Sequence, residues 1–365
     1  MKTRWIAIPL ALTVLLSACG GGDTGGAPAA PTGTGAAAGI EVTAGSTKIR
    51  FPQPEKTSVK IGHSGTPTIG IIGQIMARGL DLYKKYGITV EYVYFNGAAQ
   101  SAQALIAGQI DVNDGSAGPV IASQATTDPQ RMAFVTRHNL TDFMYTRSEV
   151  KSAADLKGKN VAISSFGSQS HAGALLAIKS LGLTDKDVTI QPIGNDSARL
   201  AALRGGSVAA SMQDQAIAQE LTPLGFNILV KLTEVKGIGG VPRTSLIVPK
   251  SFEDKYPNTV LALTAVYLEG LTIMRKDPEG VVKYLSEYGQ IPLESAKKQV
   301  EVELAAPWEP RDGRCDNTVF EFTKQVNLPS NPAIASVDPT KACTNLYLDK
   351  LKDMGFQKAI GVPGY

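Results

Sequence analysis

One alternation occurs twice along this chain, at residues 59–113 and again at 161–212: a β-rich run, a helical pattern, a β-rich run, a helical pattern, a β-rich run. In the first copy, 59–63 reads as a strand and Pro67 opens a helix whose apolar residues Ile71, Ile72, Ile75 and Met76 recur at helical spacing. A strand at 88–94, a helix at 100–107 stopped by Gly108 and a strand at 110–113 complete it. In the second copy, strands at 161–164, 188–192 and 209–212 enclose helices at 171–181 and 197–203. Strands joined by helix-length crossovers run parallel under covering helices, so the chain is expected to be α/β with two lobes. Roughly 315 residues of ordinary globular composition, more than one core commonly holds, point the same way.

The boundaries follow from the breaks between the copies. Lobe one is expected over 57–149, lobe two over 150–242, and a return to lobe one with C-terminal helices over 243–365. The glycine-rich stretch 237–242 suits a hinge, and 245–249 reads as a strand crossing back. Helices are expected at 259–274, apolar all round and therefore buried, at 278–288 and at 293–304, docked on lobe one. Two such lobes leave a cleft where the carboxyl ends of their sheets face each other, the place where open α/β sheets bind ligands.

The N-terminus sets the compartment. Lys2 and Arg4 precede an apolar run at 5–16, too short to span a bilayer and typical of an export signal. It ends in Leu16-Ser17-Ala18-Cys19, which resembles the bacterial lipobox and implies a signal peptide over 1–18, with Cys19 diacylated as the mature N-terminus. Residues 20–46 are mostly Gly, Ala, Thr and Pro, too poor in apolar groups to offset their ordering entropy. A flexible linker is accordingly expected over 19–56, with the membrane contacted only through the acyl chains.

Charge and composition exclude other classes. The net charge is +3 without a basic run, and aromatics are 6% of residues, so neither a phosphate footprint nor a base-stacking platform is present. Cys315 and Cys343 in an exported chain are expected to form a disulfide, stabilising the fold by roughly 3–4 kcal/mol. His63, His138 and His171 are scattered, and no Cys or His pair has ligand spacing, so neither a metal nor a cofactor is expected. His138 and His171 are read as structural.

Four runs carry a resemblance: Ala77-Arg78-Gly79-Leu80 with Lys84, Lys85, Tyr86 and Gly87; 104–112, the most specific; 154–162; and 201–210. In order and spacing, over about 59–276, they resemble the substrate-binding proteins of the sulfonate, nitrate and thiamine-pyrimidine type of ABC importer. Two departures stand out: Ser207-Val208-Ala209 lacks the aspartate that often follows the valine, and the cysteine-bearing C-terminal region shows little match. The resemblance implies a periplasmic-binding-protein type 2 fold that catalyses nothing. It implies a monomer that closes on a small molecule outside the cytoplasm and presents it to a permease with its ATPase, closure being expected about the strands near Tyr145 and Leu246.

It also implies a ligand held by the loops after strand ends. Thr66 and Thr68 flank Pro67 at a helix start, Asn96 and Gly97 follow the second strand, and Ser116 and Ala117 follow the third. Ser165, Phe166, Ser168 and Gln169 precede the first long helix of lobe two, where free N–H groups and the helix dipole favour an anion or a polar carbonyl. Gln213 and Asp214 follow another strand; Asp214 in the cleft would select an amine or ring N–H, whereas pointing to solvent or Arg243 it leaves an anion possible. Arg137 is either a fork for a carboxylate or sulfonate, or a surface residue. Phe95, Phe166 and Tyr145 tilt the expectation toward an organic ligand over nitrate: a sulfonate, a carboxylate, or a thiamine- or flavin-like heterocycle.

Two rival functions share parts of this pattern. A ligand-sensing lipoprotein would use the same clamp without transport. An enzyme like the yeast-type thiamine-pyrimidine synthase needs a Cys and His cluster that this sequence lacks, and a Gly-x-Ser-x-Gly nucleophile motif is absent around Ser164 to Ser170.

Overall fold

In the computed structural model, which describes residues 39–65, 67, 69–236, 240–305 and 312–365, ordered structure begins well before the first repeat. β1 (Gly39–Ala44) and β2 (Thr47–Pro52) form an antiparallel hairpin in which Val42 faces Ile49 and Ile40 faces Phe51. Val42, Ala44, Ile49 and Phe51 are buried in the main core, with Phe51 edge-on to Tyr86 and Phe356. Residues 39–52, expected to belong to a flexible linker, are therefore folded. Period-two alternation on both sides of a turn at Gly45, whose φ is +58°, decides this against composition. Cys19 and the signal run lie outside the described residues.

The chain continues through β3 (Ser58–Ser64), α1 (Ile72–Gly79), α2 (Leu82–Lys85), β4 (Thr89–Phe95), α3 (Ala98–Ile106), β5 (Val112–Gly115), α4 (Ala117–Ser123) and β6 (Gln130–Arg137). It crosses at 138–141 into β7 (Asp142–Thr146), α5 (Ala153–Leu156), β8 (Asn160–Ile163), α6 (Gln169–Ser180), β9 (Thr189–Pro192), α7 (Asp196–Gly205), β10 (Ala210–Asp214), α8 (Ala218–Leu221) and β11 (Asn227–Lys231). It then returns as β12 (Arg243–Pro249). One sheet has the order β4-β3-β5-β12-β6, the other β11-β7-β10-β8-β9. In each, three parallel strands are followed by one antiparallel strand that has crossed from the other half: β12 beside β5, and β7 beside β10.

β7 thus belongs to the second sheet, and the expectation that lobe one runs to 149 is corrected. Leu140 and Met144 are buried among Val161, Ile163, Ala172 and Met212, so the apolar side chains next to the crossing commit it to the second core. Tyr145 pairs with Ser211 and Ile228, and Leu246 with Asp114 and Phe134, so both sit in the rigid middle of a sheet. The chain passes from the first sheet to the second at 138–141, between β6 and β7.

The C-terminal part consists of α9 (Lys250–Lys255), α10 (Pro257–Met274), α11 (Pro278–Gly289), α12 (Leu293–Ala305), α13 (Asn317–Asn327), α14 (Leu346–Asp353) and α15 (Phe356–Ile360). α10 is buried on nearly all sides, as its all-round apolar sequence requires. Docking on lobe one alone is corrected, because α12 and α13 reach both lobes. Gln299 donates to Glu220 of α8 at 3.2 Å, and Phe322 and Val326 pack on the second core while Val319 and Phe320 join a cluster with Leu105 and Val120. Cys315 and Cys343 form a disulfide with Cα atoms 6.1 Å apart. Among the described residues no helix is long and apolar enough to cross a membrane.

Candidate functional site

Where the carboxyl ends of the two sheets meet lies a cavity of about 100 Å³. Lobe one supplies His63 and Ser64 from the end of β3, Gly97 and Ala98 at the start of α3, and Asp114, Gly115 and Ser116 from β5 into α4. Lobe two supplies Asp142, the first residue of β7, then Ser164, Ser168, Gln169 and Ser170, and finally Asn195, Asp196 and Arg199 of α7. Thr244 also lines it, a β-branched residue held at φ +48° where β12 enters the first sheet.

The lobe-two wall is tightly bonded. Ser168 caps α6, its Oγ accepting the His171 N–H at 3.2 Å, and the Ser170 hydroxyl accepts the Ser164 N–H at 2.8 Å. Gln169 Nε2 donates to Asp142 Oδ2 at 2.5 Å, which sets a carboxylate of the protein itself beside the N-terminus of α6. Asn195 caps α7 through the Ala198 N–H at 2.9 Å. Arg199 donates to the carbonyls of Met212 at 3.1 Å and Gly194 at 2.7 Å and pairs with Asp196.

The lobe-one wall is different. His63 and Asp114 are register neighbours on parallel strands, and Nδ1 of His63 lies 3.6 Å from Asp114 Oδ2, beyond hydrogen-bond reach. Asp114 is 1% exposed, and neither carboxylate oxygen has a hydrogen-bond partner among the described residues. Burial pushes its carboxyl above the usual aspartate range, and the His63 ring offsets only part of that. The buried Ser116 hydroxyl, two residues on, likewise has no partner among the described residues.

The lobes touch around the cavity. The Asn195 N–H donates to Asn96 Oδ1 at 3.4 Å, and a Cβ on Gly194 would lie 2.9 Å from Asn96 Nδ2. The arrangement is that of a closed clamp.

Of the residues singled out in the sequence, Gly97, Ser116, Ser168 and Gln169 are brought together in this cavity. Asn96 stands at its rim in the cross-lobe contact. Thr66 and Thr68 lie outside the described residues. The others fall elsewhere, for identifiable reasons. Ala117 is buried in the apolar cluster beneath α4. Arg137 is buried in an ion pair with Glu303 of α12 and also donates to Thr141 Oγ1 at 3.1 Å, so it is neither a ligand fork nor a surface residue. Ser165 lies outside the lining; Phe166 is 57% exposed and packs edge-on to His171. Gln213 turns inward to the Asp196 carbonyl at 3.2 Å, and Asp214 Oδ1 accepts the Ala216 N–H at 2.9 Å. Phe95 packs against the core and Tyr145 is fully buried, so the expected aromatic wall is not built.

Sequence reasoning missed Asp114, Asp142, Asn195, Asp196 and Arg199. A signal existed for Asp114: ending the strand at Asn113 dropped the residue just before Gly115-Ser116, the turn that enters the cleft. Among the described residues no group of His, Cys, Asp or Glu is placed to hold a metal ion.

A family model described as NMT1/THI5 like matches residues 68–281. Among solved structures, a protein of Bordetella bronchiseptica RB50 superposes with a TM-score of 0.73 at 24% identity, covering 82% of this chain and 98% of its own. The alkanesulfonate-binding protein SsuA from Xanthomonas axonopodis pv. citri gives 0.64 at 19%, covering 80% and 99%. The periplasmic nitrate-binding protein NrtA from Synechocystis PCC 6803 gives 0.68 at 14%, covering 85% and 90%. No curated protein matches by sequence. The fold shared with these structures is the two-lobed periplasmic-binding-protein type 2 fold.

Proposed function

The chain belongs to the NMT1/THI5-like family, and from that premise we propose that it is the extracytoplasmic solute-binding component of an ABC importer. It captures one small organic molecule between its lobes and delivers it to a membrane permease served by an ATPase. The observation that carries this reading is the construction of the cavity from both lobes, which meet around it through Asn96 and Asn195. A solute touching both lobes favours the closed state, and only such a solute can couple binding to delivery. The names of the structures it resembles, SsuA and NrtA, are those of binding proteins and support the same reading.

Lipid anchoring at Cys19 and action as a monomer are part of the proposal, resting on Leu16-Ser17-Ala18-Cys19 and on the single-chain cleft. A binder is favoured over an enzyme because, Ser116 apart, the serine hydroxyls of the lining are engaged in local structure: Ser164, Ser168 and Ser170 with one another, and Ser64 with Ser101 at 2.7 Å. Among the described residues no base is hydrogen-bonded to any of these hydroxyls as a nucleophile pair requires. We assign ligand contact to Gly97, Ser116, Ser168 and Gln169, and add Asp114 and Asp142. The cavity is well below the roughly 300–1,000 Å³ of drug-sized sites, which sets a flavin aside.

The test is uptake. The solute that co-purifies with the intact protein is identified by mass spectrometry, and its import is compared in cells with and without this chain. Import that depends on the chain supports the proposal. Unchanged import, with a transcriptional response to the solute that disappears, would establish a sensor instead.

A further inference from the structure

We infer that the outer edge of lobe one docks the membrane permease, through an extended segment of the permease that lays its backbone along β4 and a carboxylate on Arg78. The inference rests on the importer reading and names a surface which that reading leaves unassigned.

Three observations carry it. The first is Arg78, an exposed residue near the end of α1. Its guanidinium carbon lies 4.1 Å from the ring centre of Tyr288 and 5.8 Å from that of Tyr92, and Nη1 donates to the Tyr94 hydroxyl at 3.4 Å. Among the described residues it makes no ion pair, because the acids around it are matched elsewhere. Asp81 pairs with Lys84 at 3.0 Å and Glu91 of β4 with Lys60 at 3.6 Å, while Asp114, behind Tyr94, faces His63 at 3.6 Å. On α11, Glu287 beside Tyr288 and Lys283 beside Tyr284 are one of each sign, which leaves Arg78 as the surplus charge of this surface. A guanidinium packed on phenol rings and matched by no acid keeps its fork for a carboxylate from outside.

The second is Gln74, four residues before Arg78 and so on the same face of α1. It is 3% exposed, neither amide atom has a hydrogen-bond partner, and it lines one slot with Arg78, Tyr92, Tyr94 and Tyr288. A buried side-chain amide needs an acceptor and a donor side by side, and one peptide group supplies both.

The third is the edge itself. β4 is the terminal strand of its sheet, and a groove of about 230 Å³ follows it, lined by Ile88, Val90, Tyr92 and Tyr94 at alternate positions and by Arg78 and Lys84 from α1 and α2. A sheet edge flanked by alternate side chains is the arrangement to which an extended segment adds as a further strand. Tyrosine and arginine are also the side chains that dominate the energetics of such contacts.

The position suits delivery. Tyr94 packs edge-on to His63 with ring centres 6.1 Å apart, and His63 lines the cleft. A permease segment seated on Tyr94 is therefore one side chain away from the chamber that holds the solute, without touching the solute.

The experiment compares import of the co-purifying solute in cells that carry the wild type, Arg78→Glu or Arg78→Lys at equal levels by immunoblot, and measures the affinity of each purified protein for that solute by calorimetric titration. Arg78→Glu is expected to cut import at least about tenfold with solute affinity and cooperative melting unchanged, since it sets a carboxylate against a carboxylate. Arg78→Lys keeps the charge and loses the fork, so its import should fall between the two. Import by Arg78→Glu equal to that of the wild type would overturn the inference and leave the importer reading standing. So would a loss of solute affinity that matches the loss of import, because Arg78 would then act on the solute. A wild-type chain that supports no import at all would sink both.

Discussion

A Cβ atom placed on Gly118 would lie 1.9 Å from the carbonyl oxygen of Gly167, so the start of α4 in lobe one passes the β8–α6 turn of lobe two with no room for a side chain. The obstacle is backbone, which cannot swing aside. Separating the lobes relieves it completely. Gly118→Val is therefore expected to hold the clamp open, weakening solute binding by at least about tenfold while leaving each core intact. Calorimetric titration reads the affinity, and small-angle scattering reads a larger radius for the variant with solute present. Unchanged affinity would show that the contact is not part of the bound state. A collapse of the fold would show that the lobes do not move independently.

Asp114 offers a test that needs no ligand. Burial holds its carboxyl above the usual aspartate range, so folding favours the protonated form. The groups that surround it are His63, Asp142 and Arg199 in the cavity and the buried Tyr83, Tyr92 and Tyr267 with Tyr94, whose phenols burial also raises and so keeps neutral. The sign follows directly. Stability from this residue is fully present below the unfolded-state aspartate value and is lost as pH rises through the raised folded one. At neutral pH, Asp114→Asn should therefore be more stable than the wild type by about 1 kcal/mol, an advantage that fades in acid. Denaturant unfolding of both proteins across that range checks it. A variant less stable at neutral pH would mean that the His63 contact outweighs desolvation.

Arg137 closes β6, its guanidinium buried against Glu303 of α12 and bonded to Thr141 in the first crossing. Removing one partner takes a buried counter-charge from the other, so Arg137→Ala is expected to destabilise the protein by about 3–5 kcal/mol, with Arg137→Ala/Glu303→Ala less damaging than the two single losses combined. Urea unfolding of the four proteins measures the coupling. Additive losses would reduce the pair to packing. Because Arg137 also holds Thr141 in the crossing between the two sheets, the single variant is also expected to change how readily the lobes close, without touching the solute.

These cases show what the sequence discloses and what it withholds. The repeated alternation made both sheets legible, and the hydroxyl and amide of Ser168 and Gln169 were legible as a helix start after a strand, because capping is local chemistry. The Asp114 carboxylate was not. Asp111 precedes β5 and Asp114 lies within it; the turn at Gly115-Ser116 pointed to the cleft, but the register against β3 and β12 is what places Asp114 on the buried face beside His63. Arg137 misled for the converse reason: its partner lies 166 residues away on a helix whose docking no local pattern reveals. The β1–β2 hairpin was hidden by the glycine- and alanine-rich run before it, although Val42, Ile49 and Phe51 already carried the alternation.

The disulfide closes the loop that carries α13 across both lobes. Cys315 is buried beside β6, where its sulfur lies 3.4 Å from the Met132 carbonyl, and Cys343 forms a bridge with Met132 itself, so the cross-link pins the C-terminal loop to the strand that ends at Arg137. With its ends 28 positions apart, the link is expected to stabilise the fold by roughly 3–4 kcal/mol through the unfolded chain. Reduction, or Cys315→Ala with Cys343→Ala, should lower the denaturation midpoint accordingly. The loop it closes also holds Phe322 and Val326 against the second lobe, so loosening it should free the lobes to reorient and raise the rate of solute release along with the loss of stability. Unfolding midpoints and stopped-flow dissociation, read on the same samples, separate the two effects: a lower midpoint with an unchanged release rate would confine the disulfide to stability alone.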